Sequence, residues 1–151
     1  MTRTGRPMII AGCSRRKMAT ATPVSALELY QGGCIPALRT YITARPSLRT
    51  RVWIISAAHG LVHADTPLMP YDQRMDTRRA ISLRPQVDQA LRLACERDGT
   101  PRQVLVLAEP VYLLALAGLS SMPGGCRAHL IPAPAAGWAE ALAILDTWSM
   151  L

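Results

Sequence analysis

Five side chains able to exchange protons or hydrogen bonds, His59, His63, Asp65, Tyr71 and Asp72, fall within fourteen residues of the stretch RVWIISAAHGLVHADTPLMPYD, Arg51 to Asp72. Pro67 and Pro70 stiffen the loop that carries the last of them, because each fixes its own φ. A second group, Gly12-Cys13-Ser14-Arg15-Arg16-Lys17, offers successive backbone N–H groups together with three cations, a combination that can nest an anion. It is neither a G-x-x-x-x-G-K-[ST] loop nor a dinucleotide-binding G-x-G-x-x-G turn. Glu28 and Tyr30 lie just before the Gly32-Gly33 pair, and Glu109 follows an apolar run further on. Carboxylates beside cations suit an anionic substrate that is attacked or protonated by a carboxyl group. Lys17, the only lysine, fits a phosphate contact beside its two arginines or a Schiff base.

These residues need elements to hold them. Met8–Ala11, Val52–Ile55 and Gln103–Leu107 are short apolar runs rich in β-branched residues, and Arg127–Ile131 is a weaker one; all read as strands. Between them, Ser25 to Ala44 has helical spacing at Leu27, Tyr30, Leu38 and Ile42, broken by Gly32-Gly33 and Pro36, which predicts two short helices or one broken one. Gln73 to Arg97 reads as a long helix. Met75, Ile81, Val87, Leu91 and Ala94 or Cys95 form its apolar stripe, Arg74, Arg78, Arg79 and Arg92 face outward, and Pro85 kinks or divides it. Val111 to Leu119 is a short helix, Ser120 to Gly125 a loop, and Gly137 to Met150 a closing amphipathic helix.

Strands alternating with helical crossovers predict an α/β domain spanning 1–151, three-layered α/β/α, with a mostly parallel four-stranded sheet. The strand exits, Ser14 to Lys17, Ser56 to Asp72, Glu109 and Pro132 to Gly137, then share one edge, where open α/β sheets carry their sites.

Half of the residues are hydrophobic, so disorder is not expected, and no apolar run approaches the roughly 18 residues of a membrane span. The apolar run near the N-terminus stops at about six residues, too short for the core of a signal peptide. A soluble, cytoplasmic protein is the expectation. Cys13, Cys34, Cys95 and Cys126 contain no C-x-x-C pair, and neither zinc, a disulfide framework nor a cofactor is indicated. The net charge of +7 is uneven: residues 1 to 51 hold nine basic residues against the single acid Glu28, so that third carries +8 and the remainder −1. Clustered cations fit a polyanion such as DNA or RNA. Sixteen of the seventeen basic residues are Arg, a bias that also fits a merely solvated basic face. No obligatory protein partner is indicated.

The motifs G-C-S-x-x-K (Cys13, Ser14, Lys17), A-x-E-L-Y-x-G (Ala26, Glu28, Leu29, Tyr30, Gly32), S-A-x-H-G-L (Ser56, Ala57, His59, Gly60, Leu61) and P-Y-D (Pro70, Tyr71, Asp72) follow one another in the first half of the chain. In that order they resemble a widespread bacterial and phage domain grouped with the peroxide-stress protein YaaA. That group is similar to distant members of the uracil-DNA glycosylase superfamily. The resemblance implies a uracil-DNA-glycosylase-like four-stranded sheet and DNA glycosylase activity on a modified base, such as the glucosylated hydroxymethylcytosine of phage DNA, in anti-phage defence. The chain departs from uracil-DNA glycosylases in two places. Ala11-Gly12-Cys13-Ser14 stands where they carry a G-x-D-P-like water-activating motif, and their H-P-S-like loop after the last strand is missing.

Cleaving an N-glycosidic bond passes through an oxocarbenium-like state, so a carboxylate must activate water or stabilise the sugar cation. Asp72 is the first choice, followed by Asp65 and Glu28; as an alternative, Asp72 simply caps a helix. Tyr71 would stack on or hydrogen-bond to an extruded base. His59 would donate to the leaving base or a phosphate, or else only adopt a left-handed turn conformation. Ser14, Arg15, Arg16 and Lys17 would hold backbone phosphates, and Cys13, Tyr30, Ser56 and Glu109 would line the substrate site; as an alternative, Tyr30 is a core residue with a satisfied hydroxyl. A nucleotide or nucleoside N-glycosidase, a deoxyribosyltransferase and a non-catalytic DNA-binding stress protein are the alternatives.

Overall fold

A computed structural model describes residues 4–122 and 126–148. Its centre is a five-stranded sheet of β1 (Met8–Gly12), β2 (Val52–Ser56), β3 (Gly60–His63), β4 (Gln103–Leu107) and β5 (Arg127–Ile131), in the order β3-β2-β1-β4-β5. The four expected strands are present and mutually parallel. The sheet has one strand more than expected, because β3 adds an antiparallel edge to β2, with Ile55 opposite Leu61. Gly60, at φ 76°, makes the tight reversal that permits this. No non-glycine residue among those described has positive φ, so His59 does not adopt the left-handed conformation. The outer edge of β3 is covered by one side chain: the Leu61 N–H donates to Gln86 Oε1 at 2.8 Å, and Gln86 Nε2 donates to the Leu61 carbonyl at 3.1 Å.

Strand residues alternate between two apolar layers. Ile9, Ala11, Ile54, Leu105 and Leu107 pack with α1 (Ala26–Leu29), α2 (Ile35–Ala44) and α6 (Trp138–Trp148). Met8, Ile10, Ile55, Val104 and Val106 face α3 (Thr77–Ser82), α4 (Arg84–Asp98) and α5 (Pro110–Ala115). The result is the expected three-layer α/β/α arrangement. Ile9, Ile10, Ile54, Ile55 and Leu105 are fully buried, each worth about 1.5–3 kcal/mol relative to exposure.

The helical segment after Asp72 begins later than its apolar spacing implies. Residues 71–76 are irregular, and Asp76, not Asp72, is the N-cap of α3, its carboxylate accepting from the Arg79 N–H at 2.7 Å. The chain divides at Leu83, with Pro85 in the first turn of α4, where its missing N–H costs nothing. This break resets the helical phase. Ile81 is therefore exposed rather than part of the core stripe, and Arg79 turns inward, donating to the carbonyls of Ala57 and Ala58 at 2.7 and 2.9 Å. Ser149 and Met150 of the expected closing helix, and Pro123 to Gly125 of the expected loop, lie outside the described residues. A short antiparallel pair, Val24–Ser25 with Pro67–Leu68, ties the segment before α1 to the proline loop and so brings Tyr30 to Tyr71.

Candidate active site at the strand exits

Strand order decides where a crevice opens. The connection leaving β1 runs to β2 on one side, whereas β4 leads to β5 on the other, so their exits diverge between β1 and β4. A cavity of about 300 Å³ lies there, lined by the β1 exit (Gly12, Cys13, Ser14), the β4 exit (Leu107, Ala108, Glu109) with Tyr112, the stretch Gly32 to Cys34, and Ala133 to Ala136 after β5. A wider cavity of about 760 Å³ adjoins it, bounded by Arg15, Arg16, Lys17, Tyr71, Asp72, Gln73 and Arg74. Cys13, Ser14, Gly32, Gly33, Glu109 and Tyr112 line both. The inner space is walled mainly by small and apolar residues, and the outer one carries four cations.

The loop after β1 is fixed to the end of α1. The Gln31 N–H donates to the Arg16 carbonyl at 2.8 Å and the Met18 N–H to the Leu29 carbonyl at 2.6 Å. Ser14 Oγ donates to the Arg16 carbonyl at 2.7 Å and accepts from the Gly32 N–H at 3.0 Å. Glycine suits this approach, since a Cβ at position 32 would sit 3.0 Å from Ser14 Cβ and Ser14 would have to give by a few tenths of an ångström.

Beneath the outer cavity, three hydroxyls form a closed ring. Tyr30 OH donates to Ser56 Oγ at 3.2 Å, Ser56 Oγ lies 2.8 Å from Tyr71 OH, and Tyr71 OH lies 2.7 Å from Tyr30 OH. Each can donate once and accept once around the ring, so every proton is used. Ser56 Oγ also accepts from the N–H groups of Ala58 and His59. Ser56 and Tyr30 are completely buried; they hold Tyr71 rather than meet a substrate. Lys17 Nζ sits 4.4 Å from the centre of the Tyr71 ring, and the exposed His59 meets that ring edge-on at 5.3 Å between centroids. Tyr71 is thus a platform for Lys17, positioned by Tyr30 and Ser56.

The remaining candidates separate. Asp72 lines the outer cavity and Glu109 both cavities; both are exposed, and neither carboxylate has an ion-pair or side-chain hydrogen-bond partner among the described residues. Asp65 is placed elsewhere, accepting from Arg49 Nε at 2.6 Å, and Glu28 lies 4.0 Å from the same guanidinium. Neither Asp65 nor Glu28 lines either cavity. His63 is structural: its Nδ1 accepts from the Asp65 N–H at 3.1 Å, which leaves Nε2–H to donate to the Thr50 carbonyl at 3.1 Å. Arg74 and Tyr112 join the site without having been singled out from the sequence. Tyr112 OH donates to the Cys13 carbonyl at 3.1 Å and lies 3.3 Å from Cys13 Sγ, clasping the β1 exit. Its position in the first turn after the β4 exit is the signal that points to it.

Burial governs the acidities here. It pushes Tyr30 up to about 12 against the restraint of its Ser56 and Tyr71 hydrogen bonds. Tyr71 and Tyr112 are raised too, by burial first and by Cys13 next. Cys34 is pushed up to about 11 by burial, which keeps its thiol protonated. The raised tyrosines retain their protons in the fold after the unfolded chain has lost them. Their stabilisation is therefore complete below about pH 10 and lost as pH rises from there, that of Tyr30 through about 12. Urea midpoints measured from pH 9 to 12 are expected to fall across that window, and less steeply in Tyr30→Phe; a midpoint flat to pH 12 would contradict it.

Among the described residues, no group of three or more His, Cys, Asp or Glu side chains comes together to hold a metal ion, and no helix is long and apolar enough to cross a membrane. Fold and crevice define a mixed α/β protein with a ligand-sized site at the divergence of its parallel strands. The chain belongs to a family of unknown function, DUF6884, whose model matches residues 8–141. The match takes in every residue lining the two cavities. No curated protein and no solved structure matches the chain.

Proposed function

We propose that the protein is a DNA N-glycosylase that removes a modified base and leaves an abasic site. The observation that carries this reading is the position of Glu109, a carboxylate unpaired among the described residues at the junction of a small, mainly apolar cavity and a cation-lined one. An extruded base would occupy the inner cavity, whose volume of about 300 Å³ is at the lower end for small-molecule sites. Its sugar would lie at the junction, with flanking phosphates against Arg15, Arg16, Lys17 and Arg74. Water attacks C1′ of the sugar as the C1′–N bond breaks with its electron pair on the base. Glu109 takes a proton from the water, and the departing base takes one from solvent. This order of roles puts Glu109 ahead of Asp72, which lines only the outer cavity. The kinship with uracil-DNA glycosylases and a role in defence against phages with modified DNA belong to the same proposal, supported by the four parallel strands and the basic first third of the chain.

DNA binding is tested by salt titration. Arg15→Ala and Arg16→Ala are each expected to weaken binding to all sequences alike and to flatten the slope of log K against log salt by about one. Unchanged slopes would remove these residues from the interface. A free nucleotide as substrate is the second reading, favoured by the gathering of four cations around one cavity. It predicts base release from mononucleotides in preference to DNA.

A further inference from the structure

The end of the sheet where the parallel strands begin, opposite the cleft, carries its own cationic cavity. It measures about 540 Å³, and its lining includes Arg6, Arg45, Ser47, Leu48, Arg51 and Trp148. Among the described residues none of its three guanidinium groups is in an ion pair. Arg51 Nε is shut off from solvent and has no hydrogen-bond partner among the described residues. A buried donor left unpaired costs free energy and calls for an acceptor, either an ordered water or a bound ligand. The opposite charge that acts on Arg51 is Asp98, which lines an adjoining small cavity with Arg6 and Arg51 and forms no ion pair with either among the described residues. Burial holds the Arg51 pKa below its ordinary value, and Arg6 and Arg97 push in the same direction against the attraction of Asp98, whose carboxylate lies 3.4 Å from Arg97.

Two of the walls are fixed in advance. The Arg45 guanidinium stacks 4.0 Å from the centre of the Tyr41 ring, while Tyr41 OH donates to Asp146 at 3.0 Å. Trp148 Nε1 donates to Gln103 Oε1 at 3.2 Å, which leaves the rest of the indole as an apolar surface. Planar, always-charged guanidinium forks match the oxygens of a phosphate, and three of them around one cavity suit more than one negative charge.

We propose that this cavity is a second anion site, separate from the cleft, that binds phosphate groups through Arg6, Arg45 and Arg51. The phosphates belong either to a free diphosphate-type anion or to the backbone of a nucleic acid. The site does not depend on the glycosylase reading.

The test uses the full chain carrying Arg15→Ala, Arg16→Ala, Lys17→Ala and Arg74→Ala, which removes the four cations of the cleft, and inorganic pyrophosphate as the probe in calorimetry and thermal denaturation. Saturable one-to-one binding with a raised Tm is expected. Arg6→Gln and Arg45→Gln, both on partly or fully exposed side chains, are each expected to weaken it about tenfold. A short single-stranded oligonucleotide forms the second arm. If it competes with pyrophosphate and binds more tightly, the site takes backbone phosphate; if it does not compete, the site takes the free anion. The proposal is overturned if neither probe binds, or if binding is indifferent to Arg6→Gln and Arg45→Gln.

Discussion

Glu109→Gln is expected to lower the rate of base release by about 10²–10⁴-fold while leaving DNA affinity close to that of the unaltered protein, the signature of a lost proton acceptor. The amide keeps the size and most of the polarity of the carboxylate but cannot accept the proton of the attacking water. Glu109 can be changed without harm to the fold. It is exposed, it serves α5 as N-cap only through its backbone, and its side chain makes no capping hydrogen bond. Asp72→Asn is expected to cost less, because Asp72 lines only the outer cavity. The opposite order, with Asp72→Asn the more damaging, would move the proton-accepting role to Asp72. Rates of base release for the two variants, measured at saturating DNA, decide between them.

The largest effect on stability is expected at Tyr30. Its side chain is fully buried in the core layer that also holds Leu27, Leu29 and Leu38, and its hydroxyl belongs to the ring with Ser56 and Tyr71. Tyr30→Ala removes a large buried aromatic group and is expected to cost about 3–5 kcal/mol, a large part of the 5–15 kcal/mol that holds a typical domain folded. Tyr30→Phe keeps the packing and leaves two hydroxyls short of a partner, at about 1–3 kcal/mol. Urea unfolding followed by tryptophan fluorescence reads both. Equal costs for the two would mean that the hydroxyl ring, not the packing of the aromatic group, dominates. Because Lys17 rests on Tyr71, Tyr30→Phe is also expected to weaken DNA binding more than its distance from the cavity implies.

What was legible in the sequence is what depends on neighbours along the chain. The apolar runs of β1, β2 and β4, the break at Gly32-Gly33 and the division near Pro85 follow from local composition and backbone restriction, and so does the gathering of Cys13 to Lys17, Tyr71, Asp72 and Glu109 at one edge. What depends on distant partners was not. The β3 strand is short and carries His63, so it reads as loop; its edge is completed by Gln86, 25 residues later. Asp65 and Glu28 look like free acids until the fold brings them to Arg49. The priority of Glu109 rests on strand order, since only the divergence of β1 and β4 shows that its exit, and not the loop around Asp72, borders the inner cavity. Tyr30 as a core residue with a satisfied hydroxyl is one of the two readings its sequence context allows, but that Ser56 and Tyr71 are the partners that satisfy it depends on the fold.

The central claim, that this cleft breaks an N-glycosidic bond, is tested most directly by mass spectrometry of free bases released from DNA. The panel is unmodified DNA, uracil-containing DNA and phage DNA carrying glucosylated hydroxymethylcytosine, each incubated with the protein and with Glu109→Gln. Release of one base by the unaltered protein, with abasic sites in matching amount and a large loss in Glu109→Gln, is the predicted result. DNA binding without release of any base from any of the three would contradict it and leave a DNA-binding protein without this chemistry.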